Sequence, residues 1–383
     1  IRDCINTNTS PEGTDSAYLC NIEMVPESGF EFVNLTLRNC STYSTFGGGL
    51  GIWATSPNYQ SSNTLNLAFT NCQFINNVHL HKPGQSDDQG GGGFQFGTGS
   101  NSHFLLHFDN CEFIGNSAYR GGALSISTRK PATIRNCKFI NNFCEINGGS
   151  IFISPNNRQT GTLMEKCSIY NCSFELNYAT GNSAQGHAIC IQENSNIGST
   201  TIEIDHCVFF DNANPESNKG YLIHSEAPNL VLTNSLIEYQ DISMRATGFI
   251  NIVNGTNTIS DTKVIRSTSN SNDNALCVYL QAETNSAFEN CTFIECGNRI
   301  DRFTIYDKGD NTAINNCNFT YHKSDDNLKS PAIHIASNKV HLITNTSISH
   351  SRCYTDGAIQ FRHEGSHTSL IIENLTIDDA RGT

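Results

Sequence analysis

The sequence predicts an all-β protein, specifically a right-handed single-stranded parallel β-helix of about 12 coils with three short strands per coil. Three observations support this prediction. One short phrase recurs along the chain, the apolar residues around it alternate with a period of two, and the composition disfavours helices, with 47 Asn and 30 Gly but only three Met among 383 residues. Asn and Gly favour turns, and period-two alternation is typical of strands with one buried face.

The recurring phrase begins with Asn or a similar residue, usually continues with Cys, and has an apolar residue at its fourth position. The interval between copies varies, being short between Asn110 and Asn136 and long between Asn71 and Asn110. Fixed positions separated by variable spacing are typical of a solenoid with loop insertions. The twelve copies start at Asn34, Asn71, Asn110, Asn136, Asn171, His206, Asn234, Asp261, Asn290, Asn316, Asn345 and Asn374.

When the copies are aligned, two positions around the start of the phrase are apolar in every copy, and these two apolar columns indicate the geometry of the chain. One apolar residue stands two positions before the start and another three positions after it, as Phe69 and Phe74 do around Asn71. Every second residue faces inward along a strand, and the inward-facing residues change from odd to even positions, or the reverse, between these two columns. We therefore expect a tight turn at the Asn between a first and a second strand. A third strand follows at sequences such as Gly121 to Ile126. Strands that each pair with the coils above and below describe a parallel β-helix, whose right-handed winding follows the usual crossover preference.

The domain organisation follows from the first and last copies of the phrase. Residues 1–29 are predicted to form an N-terminal cap or a first partial coil, and residues 30–383 the β-helix. The last phrase, at Asn374, is followed by too few residues for a third strand. We therefore expect an incomplete final coil whose open edge continues into further sequence or docks on a partner.

The repeated Asn and Cys residues are interpreted as structural ladders. Asn tolerates the left-handed conformation of a tight turn, and its amide can bond the Asn of the next coil. The Cys is replaced elsewhere by Leu, Ser or Thr, which indicates a small buried filler with a free thiol rather than a disulfide. The predicted ladder residues are Cys72, Cys111, Cys137, Cys172, Cys207, Cys291 and Cys317, and, within a Phe-x-x-Asn pattern, Asn77, Asn116, Asn142, Asn177 and Asn212.

Charge and hydropathy exclude some classes of partner. The 23 basic and 36 acidic side chains give a net charge of −13, which argues against nucleic acid because phosphate binding requires clustered Lys and Arg. No apolar run approaches the roughly 18 residues of a membrane span. The loop from Val78 to Gln89 holds His79, His81, Asp87 and Asp88. Such a set can bind a metal, but a solvated loop is the simpler interpretation, so we predict no metal and no cofactor.

The pairing of Phe-x-x-Asn with Gly-Gly-Ala-Leu or Gly-Gly-Ala-Ile resembles the repeats of the polymorphic outer-membrane proteins of chlamydiae and related surface proteins of some protists. The first motif occurs five times, from Phe74 to Asn77 through Phe209 to Asn212, and the second is clearest at Gly121 to Leu124. Beyond about residue 215 only fragments such as Asp356 to Ile359 persist. The resemblance implies a secreted or surface-displayed β-helix, often adhesive.

A carbohydrate-active enzyme, like the pectate lyases and polygalacturonases, is one alternative. Such chemistry requires carboxylates and basic groups converging on the outer face of one sheet. The outward centres of the third strand are predicted to carry no Asp, Glu, Lys or Arg, and the neighbouring Glu112 and Lys138 of the second strand suggest a surface ion pair. The predicted third-strand centres are Gly51, Gln95, Ser125, Phe152, Cys190, Ile223, Asn251, Cys277, Ile305, His334 and Gln360.

Two kinds of surface site remain as predictions. Apolar residues on or beside the outward face of the third strand suggest an interaction surface, with cover by neighbouring loops as the alternative. Sequons are about as frequent as chance would give, and those at Asn turns should be poorly available. The predicted interaction surface comprises Phe152, Tyr221, Ile223, Phe249, Phe303 and Ile305, and the glycosylation candidates are Asn8, Asn39, Asn254 and Asn318.

The sequence thus favours a non-enzymatic extracellular or cell-surface β-helix that acts in adhesion or as a structural rod. We expect it to be secreted or surface-displayed and to contact a protein or glycan surface. The first alternative is a fibre subunit that stacks end to end through open solenoid edges. The second is the polysaccharide lyase-like or hydrolase-like enzyme.

Overall fold

The computed structural model describes most of the chain, with gaps between the repeated strands. The described residues are 5–6, 29–42, 47–54, 65–80, 90–98, 104–128, 130–154, 164–181, 185–192, 200–213, 220–240, 248–267, 275–296, 303–320, 332–337, 339–350, 352–353, 357–363, 369–378 and 381–382. These residues contain strands and turns and no helix. The predicted all-β parallel β-helix is therefore confirmed. The chain divides into two compact units, Ile1–Ile202 and Glu203–Thr383.

Sheet 1 is built from the first strand of each coil, which precedes the Asn turn. All of its strand pairs within each unit are parallel and in register, as Phe69 with Phe108 and Ile314 with Ile343. Its strands are Phe30–Val33, Leu65–Thr70, Phe104–Asp109, Ala132–Arg135 and Lys166–Tyr170 in the first unit, Thr201–Asp205 at the boundary, and Asn229–Thr233, Gly255–Ser260, Thr284–Glu289, Asn311–Asn315, Val340–Thr344 and Ser369–Glu373 in the second.

Sheet 2 is built from the second strand of each coil, which carries the buried Phe. In the first unit the rings of Phe74, Phe113, Phe139 and Phe174 stack at 4.8–4.9 Å, the spacing of neighbouring strands. The strands of sheet 2 are Thr36–Arg38, Gln73–Ile75, Glu112–Ile114, Lys138–Ile140 and Ser173–Glu175 in the first unit, and Val208–Phe210, Leu236–Glu238, Lys263–Ser267, Thr292–Cys296, Asn318–Thr320, Ser347–Ser349 and Thr376–Asp378 in the second.

Sheet 3 is built from the strands that the Gly-Gly motif introduces in the first unit. The first Gly of the motif has a positive φ, +62° at Gly121, and the second packs so closely that a Cβ on Gly122 would lie 2.1 Å from the carbonyl oxygen of Gly149. The strands of sheet 3 are Leu50–Ala54, Phe94–Thr98, Leu124–Ser127, Ile151–Ile153 and Ile189–Ile191 in the first unit, and Tyr221–Ser225, Gly248–Ile252, Ala275–Leu280, Phe303–Asp307, Ile333–Ser337 and Ile359–His363 in the second.

A fourth, short sheet departs from the predicted three strands per coil. It follows the Phe-x-x-Asn motif and lies in the first unit, where the buried Asn residues hold the backbone at the turn into it. Among the described residues of the second unit, the additional strands are the pair Arg352–Cys353 and Arg381–Gly382. The strands of the short sheet are Ile5–Asn6, Ser41–Thr42, Val78–His79, Ser117–Arg120, Phe143–Asn147 and Tyr178–Ala179.

The backbone at the phrase supports the repeat alignment. All twelve residues that start a copy have a left-handed conformation, with φ between 48° and 56°. Asn is the residue that tolerates this conformation best after Gly. The turn side chains also bond from coil to coil, because Asn110 Nδ2 donates to Asn71 Oδ1 and Asn316 Nδ2 to Asn290 Oδ1, both at 2.7 Å. The Asn at the turn therefore serves the fold.

Candidate functional site

The predicted Cys ladder lies in the interior of both units. Cys111 illustrates the geometry: its Sγ accepts from the backbone N–H of Cys72, and its single S–H can donate to the carbonyl of Phe69 or to that of Asp109, each at 3.4 Å. A hydrogen bond with the Cys137 thiol and, after it, burial raise the pKa of the Cys111 thiol to about 12. The thirteen cysteines with described side chains are all buried thiols outside any disulfide, and they include all seven predicted ladder residues, Cys72, Cys111, Cys137, Cys172, Cys207, Cys291 and Cys317.

Two further cysteines occupy a position that the sequence pattern assigned to Asn. Cys40 follows Leu37, and Cys296 follows Phe293, in the place of the Asn in Phe-x-x-Asn. Both are fully buried. Burial alone also raises the pKa of the Cys167 thiol, in sheet 1, to about 12. Thiols with such high pKa values carry little thiolate, which is the reactive form. Cys111 and Cys167 therefore pack rather than react.

The predicted Asn ladder is also buried and bonds in series. Asn77 donates from its backbone N–H and its Nδ2 to Asn116 Oδ1, and Asn116 donates in the same way to Asn142 Oδ1, all at 3.0 Å. The second amide hydrogen of Asn116 reaches the carbonyl of Phe74 at 2.8 Å. Asn142 continues the series to Asn177. In the second unit, Asn212 is likewise buried, and its Nδ2 donates to the carbonyl of Phe210 at 3.1 Å.

The predicted exposed apolar surface on sheet 3 is wrong for five of its six residues. Phe152, Phe249 and Phe303 are 1%, 2% and 8% exposed, and Ile223 and Ile305 are fully buried, while Tyr221 is half-buried. Phe152 does face outward, but the guanidinium of Arg120 lies over its ring at 5.4 Å. Phe249 packs instead against Tyr239, with ring centroids 4.8 Å apart.

The error at Ile223 and Ile305 comes from the register of sheet 3. Ile223 pairs with Ile250, and Ile305 with Val278 and Ile333, which places both in an apolar column rather than on the outer face. The register of sheet 3 shifts by one between the pair Ala275–Phe303 and the pair Val278–Ile305. Alternation counted across this shift places Ile305 on the wrong face. The second-unit column adjacent to Ile223 and Ile305 is His224, Asn251, Tyr279, Tyr306, His334 and Gln360.

This corrected column contains an aromatic cluster with a cation. The rings of Tyr279 and Tyr306 stack at 5.4 Å, and the ammonium of Lys308 lies 5.2 Å from the centroid of Tyr306. Burial alone would lower the pKa of Lys308, but its contacts with Tyr279 and Tyr306 outweigh burial and raise it. Phe303 covers the column, with its ring 4.3 Å from that of His334. The cluster is largely enclosed and offers little area to a partner.

Charged groups on the outer faces of the first unit are paired between coils. Lys138 Nζ lies 3.2 Å from Glu112 Oε1, as the sequence predicted, and Arg135 Nη2 lies 2.8 Å from Asp109 Oδ2. Burial alone would raise the pKa of Asp109, but hydrogen bonds from Arg135 and Asn136 outweigh it and lower the pKa. Among the described residues, no three His, Cys, Asp or Glu side chains are placed to hold a metal ion. Of the loop set, His79 is buried, and His81, Asp87 and Asp88 lie outside the described residues.

The glycosylation candidates differ in their surroundings. Asn8 lies outside the described residues. Asn39 is exposed at a left-handed turn with φ 55°, and Asn318 is exposed on sheet 2, where its Oδ1 accepts from Ser347 Oγ at 2.9 Å. Asn254 is half-buried, and its amide nitrogen, suitably oriented, donates to the carbonyl of Glu226 at 3.0 Å. Of the described candidates, Asn39 and Asn318 are therefore the two whose side chains are accessible from solvent.

A groove with a volume of about 360 Å³ lies on the outer face of sheet 1 in the second unit. It crosses four consecutive parallel strands, and none of its lining residues carries a formal charge. Ala287 and Ala313 are paired on adjacent strands, and their small side chains leave the space. The lining residues are Thr256, Asn257, Thr258, Asn285, Ser286, Ala287, Asn311, Thr312, Ala313, Val340 and Leu342. The sequence reasoning missed this site because it sought charged residues and large apolar residues.

Beneath the same sheet lies a buried Asp–His pair that the sequence also did not reveal. His341 Nδ1 lies 2.9 Å from Asp307 Oδ2, and both side chains are 1% exposed. Neither of these two atoms has a well-aligned hydrogen bond, although Asp307 Oδ1 accepts from the N–H of Gly309 at 2.8 Å. Asp307 stands in register between Leu280 and Ile335. Asp307 thus occupies a position that both neighbouring coils fill with an apolar side chain, whereas His341 stands in register between Thr312 and Leu370.

Comparisons with known proteins identify no relative. No family model matches the chain, and no curated protein or solved structure is similar enough to count as a match. The likeness to the polymorphic outer-membrane proteins therefore rests on the motifs alone. No helix in the part of the chain that the structure describes is long and apolar enough to cross a membrane.

Proposed function

We propose that this chain is a non-enzymatic, extracellular or cell-surface β-helix that acts in adhesion, with the grooved face of its second unit as the contact surface. The observation that carries the proposal is the uncharged groove on sheet 1. The strands beneath it are fixed by continuous parallel pairing, as Asn285 to Glu289 with Asn311 to Asn315. A contact surface on such a sheet is preorganised, so binding loses little conformational entropy.

The residue types of the surface support binding rather than catalysis. The groove offers amide and hydroxyl groups of Asn and Thr together with the apolar side chains of Val340 and Leu342. Acid–base catalysis on a polysaccharide requires ionisable groups within hydrogen-bond reach of the substrate. The motif resemblance to surface-displayed adhesive β-helices points in the same direction, and the partner would be a glycan or protein surface.

The proposal is tested by binding and turnover measured together. The fluorescently labelled chain is expected to bind intact cells or extracellular-matrix preparations saturably and to release no reducing ends from a panel of polysaccharides. The same chain unfolded in urea and diluted into the assay serves as the control for non-specific adsorption. Adsorption equal to that of the unfolded control would overturn the proposal, and steady release of reducing ends would establish the enzyme instead.

A further inference from the structure

The groove has the regular geometry of an array rather than that of an irregular pocket. Strand pairing aligns the outward-facing side chains of the groove in two parallel rows. Each row, or rank, takes one residue from each of the four strands. Successive members of a rank are separated by the strand spacing of about 4.8 Å. This spacing is close to the length of one pyranose residue in an extended polysaccharide. The first rank, nearer the start of each strand, is Thr256, Asn285, Asn311 and Val340, and the second rank is Thr258, Ala287, Ala313 and Leu342.

The two ranks differ in chemistry in a way that matches a sugar ring. Asn285 and Asn311 supply neutral amides, joined by a bond of 2.7 Å from Asn311 Nδ2 to Asn285 Oδ1. An Asn amide has two donor and two acceptor positions, so one shared bond uses only part of this capacity. Ala287 and Ala313, paired on adjacent strands, line the groove beside them with small apolar side chains. A sugar presents hydroxyl groups at its edge and C–H groups on its face, and both find partners here.

The charge of the groove selects among ligands. None of the lining residues is a Lys or an Arg, and the chain as a whole has a net charge of −13. A polyanion such as a nucleic acid or a polyuronate would therefore meet no compensating charge and an unfavourable overall field. The volume of about 360 Å³ is at the lower end of the range for small-ligand sites and suits a short segment of a chain that continues beyond both ends.

We propose that the groove binds an extended neutral polysaccharide across the strands, along the direction in which the coils repeat, with successive sugars on successive coils. This inference rests on the proposed adhesive function and names its ligand class. A single segment makes only a few hydrogen bonds, each of modest net strength. Strong attachment therefore comes from many copies of the protein on one polymer or surface.

Affinity electrophoresis tests the ligand class. Native gels containing a neutral β-linked glucan, a neutral mannan or polygalacturonate serve as the three probes. We expect at least one neutral polymer, but not polygalacturonate, to retard the chain. Ala313→Arg, which fills the groove, is expected to weaken the retardation at least tenfold, whereas Thr292→Arg, on the outer face of sheet 2 in the same unit, is expected to leave it unchanged.

Circular dichroism and thermal melting establish that both variants are folded before they are compared. Equal retardation of Ala313→Arg and the unmodified chain would overturn the inference, as would retardation by polygalacturonate alone or by none of the three probes. The adhesion assay separates this failure from that of the proposed function. If the unmodified chain adheres and Ala313→Arg adheres equally well, adhesion stands and the groove is not its site. If the unmodified chain does not adhere, the proposed function itself fails.

Discussion

Replacing Asn116 by leucine is expected to lower the free energy of unfolding of the first unit by about 4 to 6 kcal/mol, because a buried hydrogen-bonding group left without its partner costs about 1–3 kcal/mol. The side chain makes four buried hydrogen bonds. Its Oδ1 accepts from the N–H and the Nδ2 of Asn77, and its Nδ2 donates to Phe74 O and Asn142 Oδ1, at 2.8–3.0 Å. Leucine has a similar volume and can satisfy none of these groups.

Urea-induced unfolding followed by fluorescence and circular dichroism measures the loss. Asn110→Gly is the matched control, because Asn110 belongs to the exposed ladder at the turn and Gly keeps its left-handed backbone at φ 52°. We expect the control to cost less than about 1 kcal/mol, since water replaces an exposed hydrogen bond. If both substitutions cost the same, the buried Asn ladder is not the main hydrogen-bonding support of the first unit. A domain typically has only about 5–15 kcal/mol of stability, so Asn116→Leu is expected to approach complete unfolding at 37 °C.

The ladders were the part of the molecule that the sequence predicted best. Asn71, Cys72 and Phe74 keep a fixed spacing in their coil and in its neighbours. The Asn position has a left-handed φ in every copy, and Cys72 and Phe74 are fully buried. Repetition supplies this information, because one misaligned copy would disagree with eleven others. The left-handed turn at each Asn and the stacked Phe rings follow directly from those columns.

The outer face of sheet 3 was predicted less well, for a local reason. The Gly-Gly motif marks where the strand begins in the first unit, but Ile223 and Ile305 have no such marker before them. Their strands are apolar on both faces, so alternation does not show which residues point inward. The register shift between Ala275 and Val278 then changes the count by one at the strand of Ile305. Only the observed register resolves this ambiguity.

The groove and the buried pair could not be predicted from patterns at all. Ala287 and Ala313 are ordinary residues in the sequence, and they form a groove only because strand pairing brings them together from successive coils. Asp307 and His341 are likewise distant in the sequence and lie on strands of different sheets. A contact that occurs once has no repetition to reveal it. The groove and the buried pair, which each occur once, are therefore features that the repeat cannot predict.

The buried pair Asp307–His341 leads to the second large effect. Asp307→Leu and His341→Leu are each expected to cost about 3–5 kcal/mol, because removing one partner leaves the other polar group buried without compensation. Leu280 and Ile335 are in register with Asp307, and Thr312 and Leu370 with His341, so at each position at least one adjacent coil carries an apolar side chain. The double substitution Asp307→Leu with His341→Leu is therefore expected to recover stability to within about 1 kcal/mol of the unmodified chain or to exceed it.

Urea unfolding of the unmodified chain, both single leucine variants and the double variant forms a double-mutant cycle, which isolates the coupling between the two side chains. The singles are expected to be much less stable than the double. If the double variant were as unstable as the singles, apolar residues would not fit these positions. The pair would then be needed for packing and for the bond from Gly309 N–H to Asp307 Oδ1.

Full recovery would instead mean that the pair does not serve stability. Its position beneath the grooved sheet would then favour a role in keeping that binding face in register, since buried polar groups can specify one arrangement at a cost in stability.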